Sequence, residues 1–248
     1  MIEDFKSQLL ELGLSHGDVV LMHSSMKALK TKKSPTEFIN DIISVLGPEG
    51  TLLIPGFTWK HVNSRNPNFK VKETEPCDGL IPRTFLHMPG VIRSLHPTHS
   101  VCAFGKRAKE LTSNHILDET PVGFHSPIMR MLDYNGKILF VGDVLHACTF
   151  MHGVEEIVGA PYTLAKKRRH YVIEDEDGKV IEKDMIRHDF NGWMQEYQRI
   201  KDILDYPDIK TGKVGQAECY LIEASALFTK AKEKFNENVF YFVTDIRE

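Results

Sequence analysis

The sequence has few cysteines and no long apolar run. Its 248 residues include four cysteines, none in a C-x-x-C pair, and these are too few to cross-link a chain of this length. We therefore expect reduced, mostly buried thiols in a cytoplasmic protein. No stretch approaches the length that spans a bilayer, and the first residues are acidic and amphipathic, unlike a secretory signal. A disulfide scaffold and a membrane protein are both disfavoured.

An excess of positive charge is also missing. Lys and Arg number 31 against 34 Asp and Glu, for a formal net charge of -3, whereas nucleic-acid binders normally carry a basic face. The twelve histidines form no H-E-x-x-H motif and do not pair with cysteines at zinc-finger spacing. We expect no nucleic-acid partner, no membrane partner and no bound metal. The composition fits one globular domain over 1–248, and it does not indicate an oligomeric state.

The order of elements predicts an α/β fold. Apolar periodicity predicts a helix over 2–12, a strand over 18–22, a helix over 34–46, and strands over 51–55 and 137–141. Ser34, Pro35 and Glu37 form a capping box with proline at the first helical position. Strand, helix and strand in succession favour a mixed, largely parallel sheet covered by helices.

Two regions depart from that pattern. Residues 169–174 and 179–186 flank an Asp177-Gly178 turn, which predicts a small antiparallel hairpin inserted at about 168–188. Residues 59–90 contain four prolines and few periodic apolar positions, which predicts a long loop lining a site.

The segment Thr149-x-x-His152-x-x-Glu155 carries the strongest chemical signal. Positions three apart are neighbours on a helix, so a hydroxyl, an imidazole and a carboxylate fall on one face. A histidine changes charge near neutral pH, and a nearby carboxylate fixes its tautomer and raises its basicity. Glu156 is the alternative partner at i+4. The simpler interpretation is a hydrogen-bonded histidine near a helix start, followed by solvated glutamates.

Three further blocks contain polar side chains of interest. They are His23-Ser24-Ser25-Met26 after the first strand, the segment with Arg93, Ser94, His96 and Ser100, and Ser126-Pro127. A turn beyond a strand exposes N–H groups and hydroxyls that suit a phosphate. The structural alternatives are a serine turn, a salt bridge from Arg93, hydrogen bonding by His96 and His99 around Pro97, and an N-cap at Ser126.

Together with Gly212-Lys213-Val214-Gly215-Gln216-Ala217, these blocks resemble, in this order, the aminoglycoside 3-N-acetyltransferase family, and the resemblance covers most of the chain. It implies an acetyl-CoA-dependent enzyme that acetylates a small-molecule acceptor, at a primary amine of an aminoglycoside or related amino sugar. His152 would be the general base, Glu155 its orienting carboxylate and Thr149 the donor to the oxyanion. The cofactor contacts implied by the family are Ser24, Ser25 and Met26 at the pyrophosphate, Arg93, Ser94, His96 and Ser100 along the pantetheine and nucleotide arm, and Ser126. We expect direct transfer, since Cys148 is by default a buried thiol.

The acceptor is less clearly indicated. An aminoglycoside requires a ring of carboxylates, and the candidates are Glu73, Glu75, Asp78, Asp118, Glu119 and Asp143. They are interrupted by Lys60, Arg65, Lys70, Lys72 and Arg83, so that residues 60–83 are net cationic. Such a loop suits a nucleotide-linked amino sugar, unless the charges are simply solvated. A non-enzymatic binding protein on the same fold is the second alternative.

Overall fold

A seven-stranded mixed sheet forms the centre of the computed structural model, which describes residues 4–247. The helices are α1 Phe5–Leu12, α2 Met26–Leu29, α3 Pro35–Leu46, α4 Leu80–Leu86, α5 Ala108–Thr112, α6 Pro127–Arg130, α7 Phe150–Val158 and α8 Ala224–Glu237. The strands are β1 Val19–Ser24, β2 Thr51–Pro55, β3 Asn68–Lys70, β4 Ile92–Arg93, β5 Val101–Gly105, β6 Lys137–Val141, β7 Leu164–Glu174, β8 Val180–His188, β9 Trp193–Gln195, β10 Ile209–Val214, β11 Ala217–Glu223 and β12 Val243–Asp245.

The strand order of the main sheet is β10-β11-β6-β1-β2-β5-β4. β1 pairs in parallel with both β6 and β2, whereas β11, β10, β5 and β4 add antiparallel strands at the flanks. The α/β class and the mixed sheet are therefore confirmed, with the parallel pairing at the centre. The carboxyl ends of β1 and β6 lie side by side, because Ser24 is in register with Val141.

Helices cover both faces of this sheet. Along β1, Val19 and Leu21 face one core cluster while Val20 and Met22 face the other, as the two-residue period of a strand requires. A strand that is buried on both faces has a nearly continuous apolar sequence, which explains why β1 and β6 can be predicted from the sequence. Within residues 4–247 no helix is long and apolar enough to cross a membrane.

The helix α3 begins as the sequence predicts. The Ser34 side chain accepts from the backbone N–H of Glu37, and the Glu37 carboxylate accepts from the backbone N–H of Ser34. The expected loop over 59–90 is wrong in part, because it contains β3 and α4. Ile81 and Phe85 of α4 are buried in the core, but Pro82 within the helix and the shortness of both elements hide their periodicity.

The predicted hairpin is confirmed and is longer than expected. β7 and β8 pair antiparallel from Leu164 opposite His188 to Glu174 opposite Val180, with a register irregularity between Leu164 and Arg168. β3 adds a parallel third strand. A separate small core that includes Phe69, Tyr171 and Met185 supports this sheet. The end of β8 at His188 contacts Glu156 of α7.

Candidate active site

The helix α7 carries the predicted catalytic side chains. A short turn over Leu145–Ala147 connects β6 to α7, so the helix begins near the carboxyl edge of the parallel strands. Thr149 occupies the N-cap position without a capping hydrogen bond from its side chain. Gly153 allows α7 to lie against α6, because a Cβ at this position would be 2.1 Å from Sδ of Met129.

The structure brings His152 and Glu155 together. His152 Nδ1 lies 3.3 Å from Glu155 Oε2, and the Glu155 carboxylate is fully buried. Tyr197 places its hydroxyl oxygen 2.8 Å from both His152 Nδ1 and Glu155 Oε2. Tyr162 donates to the other carboxylate oxygen at 3.2 Å. A buried carboxylate held by two hydroxyl donors is well placed to fix an imidazole ring.

These contacts determine which nitrogen of His152 is available. Tyr197 has one hydroxyl proton, and the buried Glu155 carboxylate is the stronger of its two acceptors. The Tyr197 oxygen then accepts, so the proton of the neutral imidazole belongs on Nδ1. The lone pair at Nε2 is left free to take a proton, which is the arrangement that a general base requires.

Thr149 contacts a different histidine of the site. Its Oγ1 is 3.3 Å from Nε2 of His23, at the end of β1. Burial lowers the pKa of His23 to about 3, with smaller contributions from the charges of His152 and His146. His23 is therefore neutral at physiological pH. If Nε2 of His23 donates to Thr149, the hydroxyl proton of Thr149 is free for another acceptor.

Glu156 serves a different histidine. Its Oε1 accepts from the backbone N–H of Val122 at 2.9 Å and from His188 Nε2 at 2.7 Å. Burial raises the pKa of Glu156 to about 7, and burial holds the pKa of His188 well below its usual range. Of the two adjacent glutamates, Glu155 is thus the one that contacts His152.

Cys148 adjoins Thr149 but is fully buried, and burial raises the pKa of its thiol to about 12. A thiol at neutral pH is a poor nucleophile, because the thiolate is the reactive species.

Two cavities meet at Thr149. The central cavity has a volume of about 560 Å³ and includes His152 and Thr149 among its lining residues, and the narrow cavity, about 150 Å³, includes Ser24 and Thr149. Phe57, Asp78 and Ala147 line both. Two reactants that approach from either side would therefore meet beside Thr149 and His152.

The predicted phosphate turn lies at the narrow cavity. Ser24 ends β1 and lines this cavity, while Ser25 occupies the N-cap position of α2 without a capping bond from its side chain. Ser25 N–H donates to the carbonyl of Val141, and Met26 begins α2. Both serine side chains and Met26 are half-buried.

The other five predicted cofactor residues line neither cavity, and each forms hydrogen bonds within the protein, although Nε2 of His96 has no partner among residues 4–247. Arg93 is buried and donates to Ser100 Oγ and to the carbonyls of Gly56, Val71 and Thr74. It has no carboxylate partner among residues 4–247, so the salt bridge considered for it is wrong. Ser94 contacts Nδ1 of His115 and accepts from the N–H of Val101, and Ser100 donates to the carbonyl of Gly56. His96 accepts from the N–H groups of Thr98 and His99, and Ser126 accepts from the N–H of Ile128. Ser126 is thus an N-cap of α6.

The charges of the site differ from those expected. Of the acidic candidates, Asp78 alone lines the central and narrow cavities, and none of the five basic side chains between 60 and 83 does. The central cavity instead contains Arg169 and Arg187, from β7 and β8. No cluster of three or more metal-ligating side chains occurs in the part of the chain that the structure describes.

Several side chains at the site were not predicted. Tyr197, His188 and Phe190 each place a ring within 5.4 Å of the His152 ring, centroid to centroid. Their positions depend on the hairpin and on the turn after it. The sequence around them contains no spacing that indicates chemistry.

Comparison with known proteins identifies the family. The family model for aminoglycoside 3-N-acetyltransferase matches residues 21–236. Aminoglycoside N(3)-acetyltransferase IX of Micromonospora chalcea is 27% identical to this chain, and the match covers 91% of this chain and 90% of that relative. Aminoglycoside N(3)-acetyltransferase IV of Salmonella sp is 28% identical over 95% of this chain and 87% of its own.

A solved structure agrees with this assignment. The crystal structure of a histidine-to-alanine mutant of aminoglycoside acetyltransferase AAC(3)-IVa, in complex with a gentamicin, superposes with a TM-score of 0.82. It is 28% identical in sequence and covers 96% of this chain and 89% of its own. The protein is therefore an enzyme of the acyltransferase class. It belongs to the aminoglycoside 3-N-acetyltransferase family.

Proposed function

We propose that the protein transfers the acetyl group of acetyl-CoA directly to a primary amine of an aminoglycoside or related amino sugar, with His152 as the general base. The observation that carries this proposal is the position of His152 in the wall of the central cavity, with Nδ1 engaged by Tyr197 and Glu155. The membership of the family supports acetyl transfer to an amino sugar.

In the proposed reaction the amine nitrogen attacks the thioester carbonyl carbon. As the carbon–nitrogen bond forms, Nε2 of His152 takes a proton from the amine, and the Glu155 carboxylate stabilises the resulting imidazolium. The carbon–sulfur bond then breaks, and the imidazolium returns its proton to the departing thiolate.

Thr149 is proposed to stabilise the tetrahedral intermediate. Its hydroxyl lies where the two cavities meet and is bonded to the neutral His23, so it is placed to donate to the oxyanion. Direct transfer is preferred over an acetyl-enzyme, because burial keeps the Cys148 thiol protonated at neutral pH.

We propose that the thioester arm of acetyl-CoA enters the narrow cavity and that the pyrophosphate lies over Ser24, Ser25 and Met26. Among residues 4–247 the hydroxyls of Ser24 and Ser25 have no hydrogen-bond partner, so both are available to a ligand. Arg93, Ser94, His96, Ser100 and Ser126 would support this region through their bonds within the protein. Four buried cysteines without a disulfide suit a reducing compartment, and we place the single-domain enzyme in the cytoplasm.

The test is a thiol-release assay with acetyl-CoA against gentamicin, sisomicin and a set of smaller amino sugars. His152→Ala should lower turnover by about 10²–10⁴ on the acceptor that the wild type uses. It should leave the calorimetric affinity for acetyl-CoA nearly unchanged, because Nε2 acts on the amine. His87→Ala, at an exposed histidine bonded to Glu75, is the matched control and should retain wild-type turnover.

Full turnover by His152→Ala would show that the histidine is structural. A wild type that binds acetyl-CoA but acetylates no amine in the panel would favour the binding-protein alternative. The cofactor placement is tested separately, because a Ser24→Ala/Ser25→Ala double variant should bind acetyl-CoA more weakly. Unchanged affinity in that variant would contradict the placement.

A further inference from the structure

A cavity with a strong excess of cations lies beside the central cavity. This cationic cavity has a volume of about 710 Å³, and its charged lining residues are Lys166, Lys167, Arg168, Arg169, Arg187, Arg247 and a single carboxylate, Asp189. The chain as a whole carries a formal net charge of -3. The positive charge is therefore a local feature and not a consequence of composition.

Half of these cations are neutralised by carboxylates and half are not. Arg187 pairs with Asp189 at 2.9 Å, Arg247 pairs with Asp245, and Arg168 pairs with Glu119. Lys166, Lys167 and Arg169 form no ion pair with any carboxylate of residues 4–247. Three uncompensated charges around one concave surface repel each other, and an anion that binds there relieves this repulsion.

An irregularity in β7 lies at the start of this run of cations. Consecutive side chains of a regular strand point to opposite faces, yet all four residues from Lys166 to Arg169 line this cavity. The register of β7 against β8 shifts between Leu164 and Arg168. Such irregularities redirect side chains and are common beside active sites.

The cationic cavity is continuous with the catalytic machinery. Arg169 and Arg187 line both this cavity and the central cavity that contains His152. Tyr162 lines the cationic cavity, and its hydroxyl donates to Glu155. A ligand with its amine at His152 therefore shares the central cavity with Arg169 and Arg187, which also line the cationic cavity.

We propose that the cationic cavity binds a phosphate group of the acceptor, so that the preferred substrate is a phosphorylated amino sugar. This inference rests on the proposed function, and it narrows the class of acceptor from amino sugars in general to phosphorylated amino sugars. An aminoglycoside carries several ammonium groups and requires carboxylates, whereas Asp78 is the single carboxylate among the residues that line the central cavity. Guanidinium and ammonium groups together suit a phosphate, through bidentate bonds and point charges respectively. Three free cations match a phosphate better than a singly charged carboxylate.

Calorimetric binding tests the site without requiring turnover. Glucosamine 6-phosphate should bind the wild type at least about tenfold more tightly than glucosamine does, as expected for charge-assisted hydrogen bonds. Lys166→Gln/Lys167→Gln should remove most of that difference, and Arg169→Gln should do the same. Lys179→Gln/Lys230→Gln makes the same charge change at exposed lysines that line neither cavity, and it should bind like the wild type.

Kinetics distinguish the sources of the phosphate and the role of the cations. Thiol release is measured with glucosamine, glucosamine 6-phosphate, uridine-diphosphate glucosamine and gentamicin. A preference for the sugar monophosphate or for the nucleotide-linked sugar identifies which source of phosphate is used. In either case the lysine variant should raise the KM for the acceptor and leave the KM for acetyl-CoA unchanged.

Three results would overturn the inference. They are equal or better kcat/KM with gentamicin or glucosamine, a lysine variant that behaves like its control, and a rise in the KM for acetyl-CoA in place of the KM for the acceptor. If no acceptor is acetylated but phosphate-dependent binding is lost in the lysine variant, the proposed function fails while the phosphate site stands.

Discussion

Glu155 and Glu156 are adjacent in the chain but bind different histidines. Successive residues on a helix are separated by about 100°, so one carboxylate lies beside His152 while the other faces His188 at the root of the hairpin. The spacing i, i+3 alone favoured Glu155, and the contacts agree. Glu156, the alternative partner at i+4, does not hydrogen-bond to His152 in this structure. Its carboxylate is hydrogen-bonded to His188 and to the backbone N–H of Val122.

The pair Glu155→Gln and Glu156→Gln tests this division of roles. Glu155→Gln keeps the shape but removes the charge that we propose stabilises the imidazolium, so turnover should fall at least about tenfold. The acid limb of the rate profile should move to lower pH, because protonation of the imidazole becomes less favourable. Glu156→Gln should retain turnover within about twofold.

The measurement is a pH series of initial rates at saturating acetyl-CoA. A larger loss in Glu156→Gln than in Glu155→Gln would assign the orienting carboxylate to Glu156. Equal losses would indicate that both substitutions act by disturbing α7.

At the scale of elements, α7 depends on a close helix contact. Gly153 faces Met129 of α6 and Val122, and a Cβ at this position would be 2.1 Å from Sδ and 2.9 Å from Cγ of Met129. The residue has no positive φ, so the requirement for glycine comes from packing and not from the backbone. The position of His152, one residue earlier, depends on the same contact.

Gly153→Ala should therefore lower the free energy of unfolding by about 1 kcal/mol. Overpacking costs about 1–3 kcal/mol, and the better helix propensity of alanine offsets roughly 1 kcal/mol of that. In a Met129→Ala background the steric conflict with Met129 is removed, so the same substitution should become neutral or stabilising. Urea unfolding of the four proteins in this cycle measures both values, and an unchanged penalty in that background would contradict the packing explanation.

Elements that depend on contacts between neighbouring residues can be predicted from the sequence, whereas elements that depend on distant contacts cannot. The capping box at Ser34 and the Asp177-Gly178 turn between β7 and β8 are local, and the sequence predicts them. α4 and β3 were missed because they are short and become stable through contacts with distant core residues. Tyr197, 45 residues from His152, was missed for the same reason, since no local pattern places a tyrosine beside a particular histidine.

The same limit applies to the charge of the site. The sequence suggested a cationic pocket from residues 60–83, whereas the cations in the cavities come from β7, β8 and Arg247. The charges of a pocket depend on which loops and strands converge there, and composition does not contain that information. The blocks that identified the family were nevertheless sufficient, because each is contiguous in the chain.

At the scale of the whole molecule, buried ionisable groups make stability depend on pH from both sides. Burial lowers the pKa of His23 and His115 to about 3 from 6.5. These histidines are neutral in the fold, so the stability that depends on them is lost as the pH falls below 6.5. Glu156 acts in the opposite direction, because burial raises its pKa from 4.5 to about 7.

The effect of Glu156 has a defined sign and pH range. Between pH 4.5 and about 7 the folded state binds more protons at this carboxyl than the unfolded state does, so the free energy of unfolding falls as the pH rises through that window. Glu156→Gln is neutral at every pH and can still accept from Val122 and His188. Relative to this variant, the wild type should lose about 1–3 kcal/mol between pH 5 and pH 8. Urea unfolding at intervals of one pH unit measures the difference, with Glu176→Gln, at an exposed turn residue, as a control that should follow the wild type. Parallel curves for the wild type and Glu156→Gln would mean that this carboxyl is ionised in the fold throughout the range, and that the bond from His188 outweighs the cost of its burial.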